Sequence, residues 1–219
     1  MERFITFEGI EGCGKTTQIK LAGDFLGQHG IPFVITAEPG GTPMGRKIRE
    51  LLLNKGSGED ICTEAEMLLF SAARAQHIRK IISPALKNGK VVLCDRFNDA
   101  TIAYQGFGRG AEIRFIHMIN EYSSAGLKPG MTILFDLPVH VGLKRAMERI
   151  ALRIAASKGE ALEDRFEQED FTFHQKVREG YLSMAVEDPE RYRIIDASAD
   201  IATVHRMVCD LIAGFIRIK

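Results

Sequence analysis

A glycine-rich segment directly after an apolar run near the N-terminus limits the possible folds most strongly. Residues 3–8 (RFITFE) are typical of a buried strand, and residues 9–16 (GIEGCGKT) follow them at once. The second segment matches the pattern G-x-x-x-x-G-K-[ST], which joins a strand to a helix and binds phosphates through backbone N–H groups. The sequence therefore predicts a P-loop and a helix that begins near Lys15.

Each part of the predicted P-loop has its own physical task. The glycines allow backbone N–H groups to converge on phosphate oxygens, and the N-terminus of the next helix adds a favourable dipole. We expect Lys15 to reach the β- and γ-phosphates of ATP and the Thr16 hydroxyl to bind Mg²⁺. We interpret Cys13 as a small side chain in a crowded loop, because no base is specified beside it for thiol chemistry. The predicted ATP-binding residues are Gly9, Glu11, Gly12, Cys13, Gly14, Lys15, Thr16 and Thr17.

Short apolar runs alternate with helical patterns along the whole chain, which is β-α-β alternation. The runs are apolar on both faces, as expected where helices cover both sides of a parallel sheet. We therefore predict an α/β fold with a five-stranded parallel sheet, in a single domain covering residues 1–219. Such sheets bind ligands at the carboxyl ends of their strands. The runs lie at residues 3–8, 32–37, 90–95, 130–136 and 191–196.

Local signals predict several helix starts and one loop. Thr63, followed three residues later by Glu66, predicts a capping box, in which each side chain bonds a backbone N–H of the first helical turn. Pro43 and Pro138 are expected near the starts of two further helices. Residues 155–165 (AASKGEALEDR) are polar and charged, and they predict a mobile loop between two helices.

Charge and composition exclude several classes of protein. Lys+Arg and Asp+Glu both number 29, so the balanced charge offers no basic surface for nucleic acid or anionic lipid. No apolar run approaches the ~20 residues needed to span a bilayer, and the N-terminus carries no export signal. The four cysteines lie far apart without a C-x-x-C pair, which disfavours a zinc site. We therefore expect free thiols and a cytoplasmic location, with no nucleic-acid or membrane partner.

A P-loop alone leaves GTPases, motor ATPases, nucleotide-binding regulators and small-molecule kinases open. A GTPase would be expected to carry N-K-x-D after a later strand. The Asn-Lys pair in this chain begins residues 54–57 (NKGS), which lack the acidic residue and follow a predicted helix. This disfavours a GTPase.

Residues after the third apolar run favour a kinase with its own acceptor site. The run ends in Asp95, a carboxylate placed to hold Mg²⁺ directly or through water, although an acid here can also cap the next helix. Arg96 follows, with Tyr104 and Gln105 about two helical turns later. Phe70 lies four residues before Arg74 on one helix, so a ring and a guanidinium share a face, although such a Phe is commonly core.

Five segments together resemble the bacterial thymidylate kinases in order and spacing. The resemblance spans almost the whole chain, and EPGGTP with the F-x-x-x-R helix separates this family from other nucleoside monophosphate kinases. It implies a P-loop NTPase fold and a homodimer. The implied reaction is transfer of the γ-phosphate of ATP to dTMP, which gives dTDP and ADP and serves dTTP synthesis for DNA replication. The segments are Phe4–Gln18, Glu38–Pro43, Ala65–His77, Asp95–Gly106 and Asp164–Glu167.

The resemblance also implies roles for the acceptor-site residues. Phe70 is expected to stack on thymine, Arg74 to donate to a base carbonyl, and Gln105 to pair with the base edge. Tyr104 would pack by the deoxyribose, and Glu11 would point towards the acceptor sugar, although solvation of the loop is an alternative for Glu11. Arg49 and Arg96 would hold the dTMP phosphate. The implied dTMP-binding residues are Glu38, Pro39, Arg49, Phe70, Arg74, Arg96, Thr101, Tyr104, Gln105 and Asp164.

The family pattern further implies a lid at about residues 145–167. Arg145, Arg149 and Arg153 are spaced four apart and share a helix face. Because the P-loop contains no arginine, one of them is expected to reach the transferring phosphoryl group, although a solvated basic face is the alternative. An apparent insertion between Arg149 and Asp164 leaves open which arginine acts. The implied catalytic residues are Glu11, Lys15, Arg96, Arg149 and Arg153, with Thr16 and Asp95 for the metal.

The chain departs from the family pattern at two places, and two alternatives to thymidylate kinase activity are left open. Ala37 stands where an arginine is common, and Ala100-Thr101 stands where a serine is common. Either Thr101 supplies the missing hydroxyl, or the base contact rests more heavily on Arg74 and Gln105. One alternative function is phosphorylation of another pyrimidine monophosphate. The other is a P-loop regulator that binds ATP without phosphotransfer. The expected mechanism is direct in-line transfer, since the acceptor phosphate is anionic and needs no strong base.

Overall fold

A computed structural model describes residues 3–53, 60–156 and 165–218, except the side chains of Arg153 and Ala156. Five strands form one parallel sheet in the order β2-β3-β1-β4-β5. The predicted five-stranded parallel sheet is therefore confirmed, with each strand within one residue of its predicted run. The strands are β1 (Phe4–Glu8), β2 (Phe33–Ala37), β3 (Val91–Asp95), β4 (Met131–Asp136) and β5 (Tyr192–Asp196).

Helices connect the strands. As predicted, α1 begins at Lys15, α2 begins at Pro43, and α7 begins directly after Pro138. A π-helical segment, Ile78–Ile82, joins α3 to α4, and another, Ile102–Gly108, follows α5. In the described ranges the α-helices are α1 (Lys15–Gln28), α2 (Pro43–Leu53), α3 (Thr63–His77), α4 (Ser83–Lys87), α5 (Asn98–Thr101), α6 (Ile113–Ser124), α7 (Val139–Ala156), α8 (Phe171–Glu187) and α9 (Ile201–Ile216).

The central strands are buried on both faces. Every residue of β1 is buried, and Phe7 stacks on Phe135 of β4 with ring centroids 5.7 Å apart. Helices on both sides of the sheet remove these apolar side chains from water, which is the main stabilising term for such a core. The outer strands are less covered, and Ile35 of β2 and Ile194 of β5 are exposed.

The strand register brings the carboxyl ends of three strands together. Phe7 of β1 and Ala37 of β2 both pair with Asp95 of β3. The P-loop after β1 and the segment that begins with Glu38 after β2 therefore meet beside Asp95. Because ligands of such sheets bind at this edge, the register places the candidate site here.

The predicted capping box at the start of α3 is wrong. The helix begins at Thr63 as expected, but its N-cap is Cys62, which makes no side-chain cap bond. The Glu66 carboxylate is fully buried and bonds instead to Gln105 and two arginines. Two guanidinium groups and an amide give this carboxylate more charge-assisted bonds than the single backbone N–H of a capping box would, so the tertiary contacts prevail.

The predicted loop at residues 155–165 lies mainly outside the described residues. Residues 155 and 156 belong to the end of α7, and 157–164 are not described, so Asp164 is outside the structure's description. Within the described part of the chain, no helix combines the length and apolarity needed to cross a membrane. Cys13, Cys62, Cys94 and Cys209 are free, as expected.

Candidate active site

A cavity of about 1220 Å³ opens at the carboxyl edge of the sheet. The P-loop lines one part of it, and the faces of α3 and the π-helical segment after α5 line another. Residues of α7 and the loop between β5 and α9 complete the wall. One continuous space therefore joins the predicted phosphate-binding loop to the predicted acceptor residues.

The P-loop has the backbone that its glycines predict. Gly12 and Gly14 have φ of 71° and 93°, in the left-handed region that favours glycine. A Cβ on Gly12 would lie 2.0 Å from the carbonyl oxygen of Gly142, at the start of α7. Gly9 lies behind the loop against Phe135 and does not line the large cavity. The other predicted ATP-binding residues all do.

The side chain of Lys15 folds back and bonds to the P-loop itself. Its Nζ donates to the carbonyl oxygens of Gly9 and Ile10, at 2.9 and 2.8 Å, and lies 3.3 Å from Cys13 Sγ. An ammonium group has three N–H donors, so these contacts use all of them. To bind a phosphate, Lys15 must exchange at least one of these partners. Sulfur is a weak acceptor, so the bond to Cys13 costs the least free energy to break.

The two predicted metal ligands lie side by side. Thr16 Oγ1 donates to Asp95 Oδ2 at 3.2 Å. A hydroxyl and a carboxylate are hard oxygen donors that suit Mg²⁺, which in phosphate sites takes one or two protein ligands and completes its shell with phosphate and water. The described residues contain no group of three His, Cys, Asp or Glu able to hold a metal.

Glu11 and Arg96 form a partly buried ion pair that lines the cavity. Arg96 NH2 donates to Glu11 Oε1 at 2.9 Å, and the Tyr104 hydroxyl donates to the same oxygen at 2.6 Å. The Arg96 guanidinium also lies 4.6 Å from the centre of the Tyr104 ring. Burial raises the pKa of Glu11, but Arg96, His174 and nearby positive charge outweigh it and hold the pKa at about 2. Glu11 is therefore ionised at neutral pH.

Glu8 and Tyr181 support Arg96 from behind, and neither was identified from the sequence. Arg96 has a φ of 67°, which strains a non-glycine residue. The next peptide is fixed because Phe97 N–H donates to Glu8 Oε1 at 2.7 Å. Tyr181 donates its hydroxyl to Glu8 Oε2 at 2.7 Å and accepts from Arg96 NH1 at 3.2 Å. A polar residue at the end of an otherwise apolar strand was the only signal for Glu8.

Glu8 and Glu11 are both buried, but the charges around them differ, and so do their pKa values. Burial and the nearby charge of Asp99 raise the pKa of Glu8 to about 8, despite the opposing effect of Arg96. His174 of α8 is also buried, and its Nδ1 lies 3.3 Å from Glu11 Oε2. Helix α8 thus contributes side chains behind both acidic residues.

Arg74 is the most enclosed of the predicted base-site residues. Its guanidinium is 1% exposed and donates to Glu38 Oε2 and Asn120 Oδ1, both at 2.7 Å. It also donates to Phe97 O at 3.1 Å and Thr101 Oγ1 at 2.9 Å. These four bonds leave one of its five N–H groups unused among the described residues. Glu38 and Thr101, predicted to contact the acceptor, both contact Arg74.

Aromatic rings surround the same part of the cavity. Phe70 is half-buried and lines the wall beside Arg74. Phe166 lies edge-on to Tyr104, with ring centroids 5.4 Å apart, and 6.3 Å from Phe70. Phe166 was not singled out from the sequence, although it stands within the DRFE segment that carries part of the resemblance. Gln105 completes this wall and is almost fully buried.

The remaining predicted residues lie on the cavity rim. Arg49 and Pro39 both line the cavity, and Arg49 NH1 donates to Pro39 O at 3.2 Å. Arg145 and Arg149 of α7 line it as well. Arg149 NH2 lies 2.9 Å from Glu167 Oε1, which ties α7 to the segment before α8. The side chain of Arg153, like all of Asp164, lies outside the described residues.

The parallel sheet, the loop between β1 and α1, and the paired Thr16 and Asp95 define a P-loop NTPase fold. Comparison with known proteins narrows this class. The profile of the family described as Thymidylate kinase matches residues 7–208. A curated thymidylate kinase from Syntrophus aciditrophicus is 55% identical over 209 residues, which cover 95% of this chain and 93% of that protein. The thymidylate kinase from Desulfosudis oleivorans is 51% identical, and the match covers 95% of this chain and 95% of that protein. The one from Geotalea uraniireducens is also 51% identical, and the match covers 90% of each chain. The chain belongs to the thymidylate kinase family.

Proposed function

We propose that this protein transfers the γ-phosphate of ATP to dTMP, giving ADP and dTDP, a step towards dTTP for DNA replication. The observation that carries the proposal is the single cavity with the P-loop at one part of its wall and Phe70, Arg74 and Gln105 at another. The chain also aligns with 90–95% of the length of three curated thymidylate kinases, at 51–55% identity, and this similarity supports the same activity.

The donor nucleotide occupies the P-loop side in this proposal. Backbone N–H groups of the loop and the N-terminus of α1 bind the phosphates of ATP. Thr16 and Asp95 hold Mg²⁺, and this assignment rests on their contact at 3.2 Å. When bound, the cation neutralises charge on the β- and γ-phosphates. Lys15 exchanges its bond to Cys13 for a phosphate oxygen.

The acceptor occupies the aromatic side. Phe70 stacks on the thymine ring, and the remaining N–H of Arg74 donates to a base carbonyl. Tyr104 packs by the deoxyribose, while Arg49 and Arg96 bind the acceptor phosphate. The ionised Glu11 orients Arg96 and faces the sugar. This assignment is supported by the bonds from Arg74 to Glu38 and from Arg96 to Glu11, which hold both guanidinium groups in position.

The chemistry needs positioning and charge more than a base. A dTMP phosphate oxygen attacks the γ-phosphorus in line, the bond from that phosphorus to the β-phosphate oxygen breaks, and ADP leaves. Lys15 and a lid arginine stabilise the negative charge that spreads in the transition state. Residues 145–167 form the lid of one nucleoside monophosphate kinase domain in this proposal. Arg149 exchanges Glu167 for a phosphate as the lid closes, and Arg153 is the second candidate.

The proposed assembly is a homodimer in the cytoplasm. Apolar side chains are exposed on two helices that pack together, namely Leu68 of α3 and Phe115, Met118 and Tyr122 of α6. Burying such a patch against a second copy would remove it from water. Free cysteines agree with a reducing compartment.

The activity is tested by ADP formation from ATP and Mg²⁺ with dTMP, dUMP, UMP and dCMP offered separately. We expect strong dependence on dTMP, and a loss of about 100-fold or more in Lys15→Ala because a transition-state charge is removed. Lys20→Ala changes an exposed side chain of the same helix and should behave as wild type. ATP binding without acceptor-dependent ADP would instead indicate a nucleotide-binding regulator and would refute the proposal.

A further inference from the structure

Gln105 carries an amide whose two ends differ chemically, and only one end can face the cavity. The residue is 1% exposed and lines the cavity beside Arg74. Its Nε2 donates to Glu66 Oε1 at 2.7 Å. The carbonyl end of an amide only accepts hydrogen bonds, whereas the NH₂ end only donates. The orientation of this amide therefore decides what the wall offers to a base.

Glu66 fixes that orientation because two arginine side chains already donate to its carboxylate. The carboxylate is fully buried between two guanidinium groups. Arg109 Nε lies 3.1 Å from Oε1, and Arg165 NH1 lies 2.7 Å from Oε2. A carboxylate that is ion-paired with two guanidinium groups, each a donor only, acts as the acceptor in its remaining contacts. Glu66 can therefore only accept from Gln105.

The reversed amide is excluded by the same contact. It would set Gln105 Oε1 against Glu66 Oε1, two acceptors at a distance where one must donate. Both would be buried without that bond, which is costly in a low-dielectric site. The Gln105 carbonyl is thus the end left for the cavity, and it accepts no bond from any part of the chain that the structure describes.

Arg74 supplies the complementary group. Four of its N–H groups bond to protein, and the unused one lies on NH1. The wall therefore offers a donor from Arg74 together with an acceptor from Gln105. Thymine and uracil carry the matching pattern, a C4 carbonyl next to an N3–H. Cytosine carries the reverse, a C4 amino group next to an N3 lone pair.

We propose that Glu66 is a positioning residue for base specificity: its buried carboxylate holds the Gln105 amide with the carbonyl facing the base, which selects an N3–H and rejects cytosine. The proposal rests on the proposed function, because it concerns the acceptor of that reaction. It assigns the discrimination between dTMP and dCMP to a residue that itself touches neither nucleotide.

The variant Glu66→Gln tests this assignment. A glutamine at position 66 can accept or donate, so the Gln105 amide is free to turn and offer its NH₂ group to cytosine N3. We expect the ratio of kcat/KM for dTMP to kcat/KM for dCMP to fall at least about 10-fold. Glu169→Gln is the matched control, because Glu169 pairs with the same Arg109 at 2.8 Å and its variant leaves the Glu66 contact in place. The control should keep the wild-type ratio.

The exchanged pair Glu66→Gln/Gln105→Glu provides a rescue that a general structural role would not give. In this double variant the side chain at position 105 is a carboxylate, which has only acceptors, and the amide at position 66 can donate to it. The ratio of kcat/KM for dTMP to kcat/KM for dCMP should therefore return towards the wild-type value. If Glu66→Gln fails to fold, the exchanged pair alone carries the test and must still prefer dTMP.

The outcomes separate this inference from the proposed function. A wild-type protein that does not phosphorylate dTMP would refute the function itself. A wild-type protein that does, with an unchanged dTMP to dCMP ratio in folded Glu66→Gln, would overturn only the role of Glu66. Loss of dTMP preference in the exchanged pair would overturn it as well.

Discussion

Glu8→Gln should flatten the dependence of stability on pH between pH 5 and 8. Glu8 is buried at the end of β1, and burial, with the charge of Asp99, raises its pKa from 4.5 to about 8. The folded protein then holds this proton more tightly than the unfolded chain does. Its stabilising contribution is full below pH 4.5 and is lost as the pH rises towards 8.

The size of the effect follows from these two pKa values. Between pH 5 and 7 the unfolded carboxyl is mostly ionised while the folded one is mostly protonated, so each pH unit costs nearly 1.36 kcal/mol. Glu8 alone should therefore lower the free energy of unfolding by roughly 2–3 kcal/mol over this interval. Glutamine retains a carbonyl to accept from Phe97 N–H but carries no titrating group, so its variant should lack this loss.

Urea unfolding at pH 5, 6, 7 and 8 measures the difference directly. The free energy of unfolding of Glu8→Gln minus that of wild type should rise by roughly 2–3 kcal/mol from pH 5 to 7. Glu50→Gln, an exposed substitution on α2, is the control and should run parallel to wild type. Parallel curves for Glu8→Gln and wild type would refute the raised pKa and the reasoning built on it.

Three further changes test other parts of the site. Tyr181→Phe removes the hydroxyl that Glu8 accepts from, so chemical denaturation should show a loss of about 1–3 kcal/mol, and an unchanged midpoint would count against this contact. Gly12→Ala should destabilise the protein more than Gly14→Ala, because the Cβ on Gly12 meets backbone at 2.0 Å and the one on Gly14 meets nothing within 4 Å. Equal unfolding free energies of these two variants would contradict that difference. Asp95→Asn should raise the Mg²⁺ concentration needed for half-maximal turnover by about 10-fold, and an unshifted Mg²⁺ titration would exclude Asp95 from the metal site.

The sheet was predictable because its strands are short, apolar on both faces and bounded by turns. Such runs fit the central strands of a sheet with helices on both faces, and helical patterns between them indicate parallel crossovers. The rule that ligands bind at the carboxyl ends of strands then predicted where Asp95 and Arg96 would lie. The observed register, in which Phe7 and Ala37 both pair with Asp95, agrees with this.

The supporting residues of the site were not predictable because their partners lie far away in sequence. Tyr181 is 173 positions from Glu8, and no local pattern connects them. Glu66 illustrates the same problem, since its spacing from Thr63 favours a capping box. Its burial against Gln105 and Arg165 depends on how α3 packs, which periodicity alone does not specify. Tertiary packing therefore decides which polar groups of a helix become internal.

Transfer of label from ATP that carries radioactive γ-phosphate tests the central claim most directly. Purified protein with Mg²⁺, labelled ATP and dTMP should give labelled dTDP at the rate at which ADP forms, with no label on the protein, because transfer is direct and in line. Label recovered only as inorganic phosphate, or retained on the protein, would contradict the account.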